Sequence, residues 1–162
     1  MAPRAAHRPP RSELSPIADF KWWGWGSASH RTAVAEAAAS ALRSELGIEP
    51  GDGSEPVSLE SVTLPPARAL PEAVVRAAGG EEAVLSGDED RIRRAAGRSY
   101  PDLVRLRRGE LELAPDAVVC PSGRETVAAL LTACTESRVA VVPFGGGSSV
   151  VGGLDALDGG NA

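Results

Sequence analysis

The most regular alternation of apolar and polar positions begins at Pro115. Ala117-Val118-Val119-Cys120 is a continuous apolar run of strand length, the pattern of a strand covered on both faces. Ser122 and Glu125 have the spacing of a capping box that opens a helix. Val127, Leu130, Leu131 and Cys134 then trace one helical face. Val139-Ala140-Val141-Val142 predicts a second buried strand. Strand, helix and strand with short joints predict a βαβ unit with parallel strands and a right-handed crossover.

Upstream the pattern is looser. Val34, Ala38, Ala41, Leu42 and Glu45 predict a helix from about Thr32 to Leu46, closed by Gly47. Residues 50–58 read as a loop, and Leu64 to Leu70, with Pro65 and Pro66, as an extended segment. Pro71 suits the first turn of a short helix ending near Ala78. A second short helix is expected from Asp88 to Ala96, with acidic residues at its start and Gly97 after its end. Pro101, Leu103, Val104 and Leu106 supply fewer signals for a third, from Tyr100 to Arg107. Every tryptophan lies in Phe20-Lys21-Trp22-Trp23-Gly24-Trp25-Gly26, which predicts an aromatic anchor packed on the rest of the chain. Residues 1–19, rich in Pro, Arg, Ala and Ser, are expected to be disordered.

Composition narrows the function classes. The 162 residues are 43% hydrophobic but only 4% aromatic, so the core is built from small side chains and is thin. A net charge of −5 argues against nucleic-acid binding, because phosphates need an excess of cations. The arginines between Arg91 and Arg108 are interleaved with Asp88, Glu89, Asp90 and Asp102, which makes a self-compensating face. Cys120 and Cys134 form no CxxC pair and lie far from His7 and His30, so no metal-ligand spacing exists. No apolar run reaches the length of a membrane span, and residues 1–16 lack the centre of a secretory signal; a cytoplasmic location is expected.

The chemistry concentrates in Pro143-Phe144-Gly145-Gly146-Gly147-Ser148-Ser149, directly after the second expected strand. Three glycines let successive amides point into one concavity, an anion-binding nest, and Ser148 and Ser149 add hydroxyl donors. The loop is not a Walker loop, since no Gly-Lys-Ser/Thr follows. It also departs from the Rossmann fingerprint, with Val150 where the third glycine belongs. Taken alone, a triple glycine after a strand is open to two readings, a tight turn or a phosphate cradle. Its place at the carboxyl end of an expected parallel strand favours the cradle.

Pro115-Asp116-Ala117-Val118-Val119-Cys120-Pro121, Glu125-Thr126-Val127 and Pro143 to Val150 together resemble the opening of the vanillyl-alcohol-oxidase-type (PCMH-type) FAD-binding domain. The Lys-Trp-rich segment Phe20 to Gly26 resembles the alkylglycerone-phosphate synthase branch of that family, as do Asp90-Arg91-Ile92 and Gly97 to Leu103. The resemblance implies an α+β fold: an N-terminal helical extension followed by the first βαβ part of a PCMH-type domain, truncated. It divides the chain into residues 1–19, an extension over 20–112 and the start of the FAD-binding domain over 113–162. It also implies that residues 143–149 hold the FAD diphosphate on main-chain amides. With no His in or near 143–153, FAD is expected to be non-covalent.

No catalytic residue is assigned; acid/base and substrate groups of the family belong to later parts, and Arg98 and Tyr100 are read as structural. The isolated chain is expected to be inactive and to bind FAD weakly or not at all. An FAD-linked 2-hydroxy-acid or alcohol oxidase fragment, a self-contained nucleotide-binding module and an inactive remnant are the competing readings.

Overall fold

A computed structural model describes residues 19–30, 33–49 and 52–155; the disorder expected of residues 1–19 lies outside them except at Asp19, which is bonded to Ser27 and Ala28. Helix α1 spans Glu36–Leu46, starting later than the pattern predicts, and Gly47 closes it in the left-handed conformation. None of its residues is buried. Helix α2, Glu72–Ala78, has Pro71 as its N-cap and Gly79, also left-handed, after it. Strand β1 is the pair Val84–Leu85, and α3 covers only Asp88–Ile92 before the chain continues in tight turns. Helix α4, Tyr100–Arg108, is followed by β2, Val118–Val119, and by α5, Arg124–Ser137. No helix among the described residues is long and apolar enough to cross a membrane.

The main core gathers Trp22, Ile92, Ala95, Ala96, Leu106 and Leu111, with Trp23, Val57, Leu59, Val62, Leu64 and Ala114 around it. Leu85, Ile92 and Leu106 are fully buried, each contributing roughly 1.5–3 kcal/mol of hydrophobic stabilisation. A second cluster, Val74, Ala133 and Cys134 with Leu130 and Val139, packs α2 on α5. The expected apolar stripe of α5 is therefore split: Cys134 is buried and Leu130 half-buried, while Val127 and Leu131 are exposed.

Two local expectations are corrected. Strand β2 pairs with β1, antiparallel, with Val84 opposite Val119 and Leu85 opposite Val118. The segment 139–142, expected as its parallel neighbour, joins no ladder among the described residues. Apolar composition favours an extended chain there, but pairing depends on a neighbour that composition does not specify. The capping box also moves. Gly123, not Ser122, caps α5 without a side-chain bond, and the Ser122 hydroxyl lies 3.2 Å from that of Thr126. The true box is at α4: Asp102 N donates to Ser99 Oγ at 3.2 Å, and Ser99 N donates to Asp102 Oδ2 at 3.1 Å. Pro101 in the first turn adds a start signal that suits its fixed φ.

Buried polar groups tie the segments together. Arg91 is 3% exposed. Its Nε donates to Pro115 O at 2.8 Å, Nη2 to Pro65 O at 2.8 Å, and Nη1 meets Asp88 Oδ1 at 3.1 Å. One guanidinium thus joins the extended 64–70 segment, α3 and the approach to β2. Asp116 reinforces the joint, accepting from Arg68 N and Arg68 Nε, both at 3.0 Å. Asp102 is buried and accepts a further bond from Arg105 Nη2 at 2.6 Å.

Arg91→Ala should cost about 3 kcal/mol, because it removes a buried guanidinium and leaves two part-buried carbonyls without their donor. Arg76→Ala removes only the exposed pair with Glu72 and should cost about 0.5 kcal/mol or less. Urea unfolding of both variants checks the contrast.

A second expectation concerns acid. Burial by itself pushes the Asp102 carboxyl up, but bonds from Ser99 and Arg105 outweigh it and hold it below its ordinary value. Asp116 behaves alike: burial raises it, and Arg68 with the charge of Arg91 lowers it further. Folded carboxyls thus bind protons more weakly than unfolded ones. Their stabilisation is complete above about pH 4 and lost as pH falls through the depressed values. Asp102→Asn should flatten that fall in a pH series of thermal melts while lowering stability at neutral pH.

Candidate functional site

The tryptophan segment folds as a tight hairpin. Phe20 and Ser27 form an antiparallel bridge, Lys21 N donates to Gly26 O at 2.9 Å, and Ala28 N donates to Asp19 O at 2.6 Å. The Ser27 hydroxyl also bonds the Asp19 carboxylate. Trp22 enters the main core, and Trp23 lies beside it under the Arg107 guanidinium, 4.8 Å from the ring centre. Trp25 is different: it is 53% exposed, so only part of the cluster is an anchor. Two arginines pin the hairpin to the turns after α3. Arg93 Nη1 donates to Phe20 O at 2.9 Å, and Arg98 Nε donates to Gly24 O at 3.2 Å.

The glycine loop lies against the same turns. Arg98 N donates to Ser149 O at 2.6 Å. A Cβ on Gly97 would stand 2.4 Å from that carbonyl oxygen, so the approach requires glycine. Gly147 is buried with φ +68°, and a Cβ there would meet Phe144 Cζ at 2.5 Å. The Phe144 ring therefore covers Gly147 and fixes the bend of the loop. Gly145 and Gly146 are exposed, their φ lies outside the left-handed region, and a Cβ on either would meet nothing within 4 Å. Among the described residues, no amide from Phe144 to Ser149 donates a main-chain hydrogen bond. Pro143 and Ser148 are exposed, and Ser149 is half-buried.

Hairpin and loop enclose a cleft of about 190 Å³. Phe144 and Gly146 line it from the loop, Phe20, Lys21 and Trp25 from the hairpin, and Arg93 and Arg98 from the turns. Burial lowers the proton affinity of Arg98, and the charge of Asp102 opposes the shift; the guanidinium remains a cation. The sequence singles out the loop residues, but not Gly97 as a contact for them, nor Arg98 and Trp25 as walls of a cleft. Gly97 reads locally as a helix terminator, and only the fold brings Ser149 to it.

Gly97→Ala should displace the loop, or cost about 1–3 kcal/mol through overpacking. The check is a thermal melt together with amide chemical shifts of residues 144–149, which should move although the substitution lies far away in sequence.

Comparison with known proteins places the chain in a family. Residues 115–160 match the family described as FAD binding domain. Alkyldihydroxyacetonephosphate synthase of Dictyostelium discoideum is 26% identical over 175 residues, covering 91% of this chain and 29% of that protein. Protein Rv2250A of Mycobacterium tuberculosis is 32% identical over 116 residues, covering 70% of this chain and 75% of that protein. A solved alkyldihydroxyacetonephosphate synthase superposes with a TM-score of 0.72 at 25% identity, over 88% of this chain and 31% of that one. The chain spans 13–29% of the length of the curated synthases it matches. The α+β arrangement, with its helical extension ahead of the glycine loop, is thus shared with those enzymes, and the chain belongs to the PCMH-type FAD-binding family on the alkylglycerone-phosphate synthase branch.

Proposed function

We propose that residues 113–162 form the beginning of an FAD-binding domain and that the loop 143–149 holds the diphosphate of non-covalent FAD. The parent activity is that of a flavoenzyme of the alkylglycerone-phosphate synthase type. One observation carries the reading. Gly145 and Gly146 are demanded neither by backbone angle nor by protein packing. Glycine at such positions lets a ligand approach the main chain closely, and the amides from Phe144 to Ser149 make no main-chain hydrogen bond among the described residues.

Bound flavin supplies the electron chemistry, whereas the protein supplies position and electrostatics. In this chain Phe144 and Gly147 set the curve of the loop, and the Ser149 carbonyl anchors its far end. Gly145 and Gly146 leave the amides open to oxygen atoms of phosphate. Ser148, exposed beside them, offers a hydroxyl. No His or Cys lies between residues 143 and 153 to bond the flavin covalently. No side chain is assigned a catalytic role.

Titration of the isotopically labelled chain with millimolar FAD should shift the amides of residues 144–149. Gly146→Ala should melt at the same temperature or slightly higher, since alanine narrows the unfolded ensemble. Its FAD affinity should fall about tenfold, the equivalent of one charge-assisted bond. Loop amides that ignore FAD at that concentration would remove the basis of the reading.

A further inference from the structure

We infer that Arg98 is a phosphate-binding residue of the cofactor site and that the tryptophan hairpin forms the wall of that site. The inference rests on the FAD reading of the loop and adds to it a cation and an aromatic surface from the N-terminal extension. The loop itself offers only neutral donors, whereas a dinucleotide diphosphate carries two negative charges. Binding it in a partly desolvated cleft favours a nearby cation.

Three cations line the cleft beside Gly146. Arg93 is engaged, pairing with Glu89 Oε1 at 2.9 Å and bonding the Phe20 carbonyl. Lys21 leans on the Trp23 ring, 5.6 Å from its centre. Arg98 differs from both. Unlike Arg93, it has no carboxylate within ion-pair distance among the described residues, and unlike Lys21 it is held by carbonyls. Its Nε and Nη1 donate to the carbonyls of Gly24, Ala96 and Gly97, which fixes the plane of the guanidinium. Nη2 donates to none of these, so one edge of a held, half-buried cation is left for a ligand. Its own amide bonds the Ser149 carbonyl, so the charge and the loop are positioned by the same residue. Phe20 and Trp25, exposed on the opposite wall, offer apolar faces to the rest of the ligand.

The test is a side-by-side titration of the full chain with ADP, FAD and riboflavin, followed by NMR of side-chain as well as main-chain nitrogens. The Arg98 Nε–H and the Trp25 indole N–H should shift with ADP and FAD along the same saturation curve as the amides of 144–149. Riboflavin, which lacks the diphosphate, should leave Arg98 unmoved. Arg98→Gln should weaken ADP binding about tenfold and reduce its salt dependence. Loop amides that respond to ADP while Arg98 stays silent overturn the inference and leave the FAD reading standing. Silence of both overturns the FAD reading itself. Should Arg98→Gln loosen the hairpin, the wild-type side-chain signals decide.

Discussion

The contact on which this structure turns is a main-chain hydrogen bond, from the Arg98 amide to the Ser149 carbonyl, made across a glycine that keeps the two backbones close. From Gly145 to Ser149 the loop carries no apolar side chain with which to dock, so its position there is set through its backbone. The bond sets one end, and Phe144 folded over Gly147 sets the curvature between. Arg98 then extends the same junction through its side chain to the Gly24 carbonyl in the hairpin. Loop, core and hairpin therefore meet at one residue.

That junction is held in place by the turns that carry it. The core is small, and few of its residues are large. Much of its definition comes from buried polar groups whose requirements are all met: no buried side-chain nitrogen or oxygen among the described residues lacks a partner. Arg91 is the centre of this network, with bonds to two remote segments and to its own helix. An apolar replacement could fill similar space without specifying which segments meet. The Ser99–Asp102 box plays the corresponding part for α4, setting where the helix begins directly after the Gly97–Arg98 turn.

The glycines separate into two physical kinds. Gly97 and Gly147 serve the fold, the first through close approach and the second through close approach and positive φ. Gly145 and Gly146 serve no contact within the protein. The proposed phosphate cradle rests on this distinction, since a ligand held close to the main chain would account for loop glycines that the protein's own contacts do not require.

Sequence alone determined the local features of this protein. The left-handed end at Gly47, the start of α2 at Pro71, the helical character of α5, and the concentration of donors in residues 143–149 follow from chain chemistry within a few residues. The motifs at Pro115 to Val150 and at Phe20 to Gly26 were legible for the same reason, since each is a continuous segment. Tertiary structure decided the rest. It paired β2 with β1 in place of residues 139–142, buried Trp22 while leaving Trp25 exposed, and carried Ser149 to Gly97. Each of these outcomes joins residues far apart in the chain, and such pairings depend on which surfaces meet after collapse, a property that no local pattern of side chains encodes.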